Sequence, residues 1–214
     1  MSSVAGNYAD FHKRSLTDRD AFWTEQASLI DWQTPFQQVC DYSNPPFANW
    51  FVGGRTNLCH NAVDRHAVTA PERAALIAVS TETDTERVYS FAELQREVER
   101  MAASFQEMGV VKGDRVLIYM PMIAEAAFAM LACARIGAIH CVVFGGFASG
   151  ALASRIEDAS PKVIVSADAG SRGGKVVPYT ALLEEAIRIS AHKPDAVLMV
   201  NRGLAAFEPV AGRD

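Results

Sequence analysis

The sequence lacks most of the features that would place a protein outside the cell, in a membrane or on a nucleic acid. It has four cysteines among 214 residues, Cys40, Cys59, Cys133 and Cys141, and no C-x-x-C spacing. Cys133 and Cys141 lie in apolar runs, where a free thiol behaves as a small hydrophobe, so a reduced, cytoplasmic protein without a disulfide framework is expected. Cys59 and His60 have no further ligands at metal spacing, and no metal site is expected. Cations are outnumbered, 20 Lys and Arg against 25 Asp and Glu, for a formal charge of −5. A nucleic-acid surface needs clustered cations to displace counterions, and only the 170s hold a basic patch, so no nucleic-acid partner is expected. The opening residues are polar and carry Asp10, Asp18 and Asp20, which is not the pattern of a signal peptide. One run without formal charge, Ile136 to Ser154, approaches membrane-spanning length, but four glycines and a histidine interrupt it. It reads as a buried strand, a turn and the start of a helix, with no membrane partner.

What is present is a core. Half of the residues are hydrophobic and 21% are charged, a balance that excludes disorder and supports a packed domain. The composition shifts near residue 65. Before it, Phe22, Trp23, Trp32, Phe36, Trp50 and Phe51 mix with turn residues without sustained periodicity. Residues 1–65 are therefore expected to form an irregular, aromatic-rich amino-terminal arm, with one short helix after Thr17 or Asp18, packing on a larger main body. From 66 to 214 the pattern is regular. Strand candidates at Ala74 to Val79, Arg115 to Tyr119, Ala138 to Val143, Lys162 to Ser166 and Ala196 to Val200 alternate with helix candidates. The first helix opens with Ser90 and Glu93 at capping-box spacing and carries Phe91, Leu94, Val98, Met101, Phe105 and Met108 on one face. Others fall near Ile123 to Arg135, Ser149 to Asp158 and Ala181 to Ile189. This alternation predicts an α/β fold, a mostly parallel doubly wound sheet with helices on both faces. Such sheets bind ligands beyond the carboxyl ends of their strands, where two glycine-bearing turns lie, Phe144-Gly145-Gly146-Phe147 and Ser171-Arg172-Gly173-Gly174-Lys175.

Several chemistries are disfavoured. The turn after Val116 to Tyr119 reads Met120-Pro121-Met122, not the G-x-G-x-x-G of a dinucleotide site. Gly173-Gly174-Lys175 is followed by Val176, so it lacks the spacing and the hydroxyl of a triphosphate-binding loop. The five histidines, His12, His60, His66, His140 and His192, fall into no nucleophile–base order, and His140 reads as a core residue of its strand. Asp64-Arg65-His66 reads as an ion-paired surface feature or an anchor for the arm, and Asp168 could orient Arg172. Taken alone, Arg172 to Lys175 is either an ordinary exposed turn between a strand and a helix or a phosphate clamp in which glycine backbone and flanking cations converge on an anion. Phe144 to Phe147 is either a tight turn with core phenylalanines or bare backbone for a flat ring or a pantetheine-like chain.

Motif order decides between these. Tyr8, Phe11-His12, Phe22-Trp23, Asp31-Trp32, Trp50-Phe51, Gly54, Asn57 through Asn61 and Asp64-Arg65-His66 come first, followed by Gly113 through Val116 and Tyr119 through Met122. With Ala134 through His140 and Val143 through Phe147, they resemble the short-chain acyl-CoA synthetases, which are adenylate-forming enzymes, over essentially the whole chain. The resemblance implies that residues 66–214 are a truncated first α/β subdomain of a larger adenylate-forming domain. It implies coenzyme A as a substrate, with its nucleotide end near Phe144, Gly145 and Gly146 and its phosphates at Arg172, Gly173, Gly174 and Lys175. Lys175 stands where the acetate enzymes have arginine, which keeps the charge but not the bidentate geometry. ATP and magnesium would act in the full-length enzyme at sites outside this chain, so no catalytic residue is expected here and the fragment should be inert. The ending Gly212-Arg213-Asp214 reads as a cut chain whose partner is its own remainder. The rival is a short, non-enzymatic module that binds coenzyme A or another nucleotide.

Overall fold

A computed structural model describes residues 7–214. It divides into two compact units, Met1–Asn57 and Leu58–Asp214. The first is not irregular throughout. Helices α1 (Tyr8–Thr17) and α2 (Arg19–Ala27) precede an antiparallel hairpin of β1 (Gln38–Asn44) and β2 (Phe47–Val52). Asn7 caps α1 through its side chain, whereas Asp18 makes no such bond to α2. The aromatic residues pack on one another: Trp32, Phe36 and Phe51 form one cluster with ring centroids 5.1 to 5.4 Å apart.

The second unit opens with a π-helical turn (His60–Asp64) that runs into α3 (Arg65–Thr69). The hairpin of β3 (Ala74–Ser80) and β4 (Thr85–Ser90) follows, then α4 (Phe91–Glu107), β5 (Arg115–Met120), α5 (Ala124–Ile136), β6 (Ile139–Phe144) and α6 (Ser149–Ala159). Strand β7 (Val163–Ala167), the hairpin of β8 (Ala169–Arg172) and β9 (Lys175–Pro178), α7 (Tyr179–Ile189) and β10 (Ala196–Val200) complete it. The parallel sheet has the order β10-β7-β5-β6. Strand β3 does not join it. The polar turn between Ser80 and Thr85 folds the chain straight back, so the expected first strand pairs antiparallel with β4 instead.

The capping box is formed as the sequence suggests. Ser90 Oγ accepts from the Glu93 amide at 3.3 Å, and Glu93 returns a carboxylate oxygen to the Ser90 amide at 2.8 Å. Leu94, Val98, Ala102 and Phe105 on α4 are buried with α5 against one face of the sheet. Helices α6 and α7 bury Leu152, Ile156, Leu183 and Ala186 on the other face. Strand β5, covered on both sides, is a continuous apolar run in which Val116 to Met120 are all buried. The edge strand β6 is different. The sequence reads it as buried, yet Ile139, Val142 and Phe144 are 52 to 62% exposed, and His140 is exposed too. An edge has one strand neighbour, and the apolar pattern does not say which strand that will be.

The Asp64-Arg65-His66 segment is tied to helices of this same unit. Asp64 accepts from Arg135 Nη1 at 2.7 Å and from Gln95 Nε2 at 3.0 Å, and Arg135 Nη2 reaches Glu99 at 2.8 Å. This network pins the end of α5 to α4 and to the π-helical turn. Arg135→Met is expected to lower stability by about 2 kcal/mol, the cost of leaving a half-buried carboxylate short of its partner, read as a lower urea midpoint at an unchanged slope. Burial pushes the thiol of Cys59 up and that of Cys133 up to about 12, so neither is a nucleophile at neutral pH.

Candidate functional site

In a doubly wound sheet, the loops after neighbouring strands part where the strand order reverses. Here β5 leads through α5 to β6 on one side, and β6 leads through α6 back across β5 to β7 on the other. The carboxyl end of β5 is therefore the switch point. A cleft of about 620 Å³ lies there, within the range of small-ligand sites. Its walls are Met120 to Ile123 after β5, Val142 to Gly146 at the end of β6, the β3–β4 turn at Ser80 to Glu82, Ser171, Tyr179 and Arg202. All belong to the second unit.

Phe144, Gly145 and Gly146 thus form one wall, as the sequence reading placed them. Phe144 is not core: it is 62% exposed and meets edge to face, at 5.8 Å, the half-buried Phe147, which packs on the core beneath α6 and α7. Arg155 lies over the Phe147 ring at 4.3 Å. The carbonyl of Phe147 accepts a hydrogen bond from Tyr119 Oη at 2.9 Å. Burial, with the neighbouring Tyr179, pushes the Tyr119 phenol up to about 12, so it remains a donor across the physiological range.

The second turn is not the strand-to-helix connection that the sequence suggested. Gly173 and Gly174 are the two central residues of a hairpin in which Arg172 pairs with Lys175, and their φ angles are +57° and +76°. Both central residues in the left-handed region define the turn type that matches strand twist, which glycine adopts without strain. Neither glycine has a neighbour within 4 Å of where a Cβ would stand, so the requirement is conformational. A Gly-Gly pair between two short strands is a hairpin signal, and reading it would have located β8 and β9. The Arg172 side chain lies outside the described part of the structure. Lys175 is exposed, and among the described residues Gly173, Gly174 and Lys175 are not part of the cleft wall; the hairpin meets the cleft at its root, through Ser171, Val177 and Tyr179.

That root is held by charges the sequence reading missed. Glu82 accepts the Ser171 amide at 2.7 Å and pairs with the Arg202 guanidinium, which also donates to the Ala169 carbonyl at 2.8 Å. The buried Asp168 carboxylate accepts from the amides of Arg202 at 3.0 Å, Leu204 at 2.7 Å and Ala205 at 3.1 Å. Burial alone would raise its pKa, but these amides, with that of Ala169, hold it below the usual carboxylate range. Asp168 thus fastens the segment after β10. These partners stand more than thirty residues away, beyond the reach of any local pattern.

A carboxyl-end cleft walled by bare glycine backbone and aromatic rings, with a basic hairpin beside it, is an arrangement suited to a nucleotide-bearing ligand. Residues 63–208 match the AMP-binding enzyme family, and residues 8–62 match the acetyl-coenzyme A synthetase N-terminus. The chain belongs to the AMP-binding enzymes. It is 59% identical over 208 residues to the propionate–CoA ligase of Escherichia coli K12, covering 97% of this chain and 33% of that enzyme. It is 46% identical over 211 residues to the acetyl-coenzyme A synthetase of Methylobacterium radiotolerans, covering 97% of this chain and 33% of that protein. Among solved structures, the acetoacetyl-CoA synthetase of Streptomyces lividans superposes with a TM-score of 0.87 at 30% identity, over 97% of this chain and 32% of that one. The chain spans about a third of the length of the relatives it matches. Among the described residues, no helix is long and apolar enough to cross a membrane.

Proposed function

We propose that this chain is the amino-terminal portion of an ATP-dependent short-chain acid–CoA ligase that converts propionate, ATP and coenzyme A to propionyl-CoA, AMP and pyrophosphate. The observation that carries the reading is the 59% identity to propionate–CoA ligase sustained along 97% of the chain, against 46% to an acetate enzyme. In such a reaction the carboxylate first displaces pyrophosphate from ATP, which turns a poor leaving oxygen into AMP. The thiol of coenzyme A then attacks the acyl carbon and AMP departs. ATP and magnesium would be held by residues beyond this chain, in a protein that works in the cytoplasm on small-molecule substrates.

This chain's part is to hold coenzyme A. Phe144 offers an exposed ring, and Gly145 and Gly146 a wall of close-packed backbone, to its nucleotide end. Arg172, Gly173, Gly174 and Lys175 place two cations and a tight turn against its phosphates. The division near residue 65 into an arm and the first α/β subdomain belongs to the same reading. The chain spans only about a third of the length of the ligases it matches, so the 214 residues alone are expected to form no propionyl-CoA, while the full-length ligase does. A thioester assay on both proteins checks this, and turnover by the short chain would overturn the assignment of chemistry to the remainder.

A further inference from the structure

The two glycine turns stand apart in sequence, but one side chain touches the backbone of both their supports. Tyr179 is the first residue of α7, placed directly after β9, and its amide donates to the Asp168 carbonyl at 3.0 Å. Its ring lies 5.1 Å from that of Tyr119, the tyrosine that holds the Phe147 carbonyl. Its hydroxyl end reaches the point where Gly145, at the end of β6, faces Gly170 in β8. A Cβ at Gly145 would stand 2.5 Å from Tyr179 Oη and 2.9 Å from its Cε2. A Cβ at Gly170 would stand 2.7 Å from the same oxygen and 2.9 Å from Cζ. Side-chain carbons essentially never come that close to another heavy atom, so a side chain at either place would have to move the ring. Neither glycine has a positive φ, so backbone conformation does not require glycine there. The tyrosine does.

We propose that Tyr179 is a positioning residue for coenzyme A: its ring sets the distance between the Phe144–Phe147 turn and the root of the Arg172–Lys175 hairpin. The inference rests on the coenzyme A reading of this cleft and adds a determinant that neither glycine turn reveals alone. The two glycines also differ in a way that makes the geometry testable. At Gly170 the contacts below 3.0 Å are both with Tyr179. At Gly145 the backbone carbonyl of Met120, at the end of β5, stands 2.8 Å from the same Cβ, and no change at position 179 removes it.

The test uses the full-length ligase, with KM for coenzyme A read beside acid-dependent exchange of pyrophosphate into ATP. Tyr179→Leu is expected to raise KM for coenzyme A about tenfold while the exchange keeps its rate, and Tyr179→Phe, which keeps the ring, to hold KM within about threefold, as for loss of a packing group acting on one bound substrate. Gly170→Ala should raise KM to a similar degree, and the Gly170→Ala/Tyr179→Leu double variant should be no worse than Tyr179→Leu. Gly145→Ala should still worsen Tyr179→Leu, by part of its own effect, because the Met120 carbonyl remains. Equal losses in both half-reactions, or independent effects at 170 and 179, would overturn the inference by reducing Tyr179 to general packing. If Tyr179→Leu leaves KM for coenzyme A unchanged, the inference fails. If Arg172→Ala and Lys175→Ala also leave it unchanged, the coenzyme A reading has failed with it.

Discussion

Replacing Arg172 by alanine in the full-length ligase is expected to raise the apparent KM for coenzyme A roughly ten- to hundredfold, the equivalent of about 1.5–3 kcal/mol for one charge-assisted contact. The acid-dependent exchange of pyrophosphate into ATP should stay nearly intact, because adenylation precedes the arrival of the thiol. The β8–β9 hairpin explains why the loss would be selective. Its turn is set in the backbone, by two glycines in the left-handed region and by the pairing of position 172 with Lys175. Lys175→Ala should have a smaller effect, since an ammonium meets phosphate as a point charge without the paired donors of a guanidinium. Steady-state kinetics with each substrate varied, beside isotope exchange, separates the outcomes. Parallel losses in both half-reactions would assign Arg172 to folding instead.

The largest effect on stability is expected at Asp168. Asp168→Asn keeps the shape but sets an amide donor against at least one of the backbone N–H groups of Arg202, Leu204 and Ala205 and removes the charge from the rest, for a cost of about 3 kcal/mol. The pH dependence follows from linkage. The carboxylate's pKa is depressed in the folded state, so its contribution is present above the unfolded value of about 4 and is lost as the pH falls through and below that value. Urea midpoints of the two proteins should therefore differ most near neutrality and converge as the medium becomes acidic. A constant gap at every pH would mean that the carboxylate's charge plays no part in holding the segment after β10.

The elements that were legible are those whose signal is local and strong. Ser90 and Glu93 announce α4 because a capping box is written within four residues. Strand β5 is legible because a strand covered on both faces must be apolar throughout. The β3–β4 hairpin was not, since an apolar run reads equally well as a parallel strand or as half of a hairpin, and β8–β9 was missed although Gly173-Gly174 carries a hairpin signal. Among the residues that wall the cleft, the place of Phe144, Gly145 and Gly146 at a strand end could be read from the sequence. Tyr179 could not: in sequence it is one tyrosine at a helix start, and its neighbours Tyr119, Gly145 and Gly170 come from distant parts of the chain. The same holds for Glu82 and Arg202, which are 120 residues apart. The exposure of His140 depends on strand order, which apolar patterning does not encode.

That exposure has a consequence for the protein while it is being made. Relatives that share this region are about three times as long, and at about 5–20 residues per second a ribosome takes tens of seconds to make the rest of such a chain. Throughout that time, the outer edge of β6 presents unpaired backbone beside Ile139, Val142 and Phe144, a surface on which a neighbouring nascent chain can add a strand. The strand that forms one wall of the cleft is thus also an edge along which two copies of this region can meet.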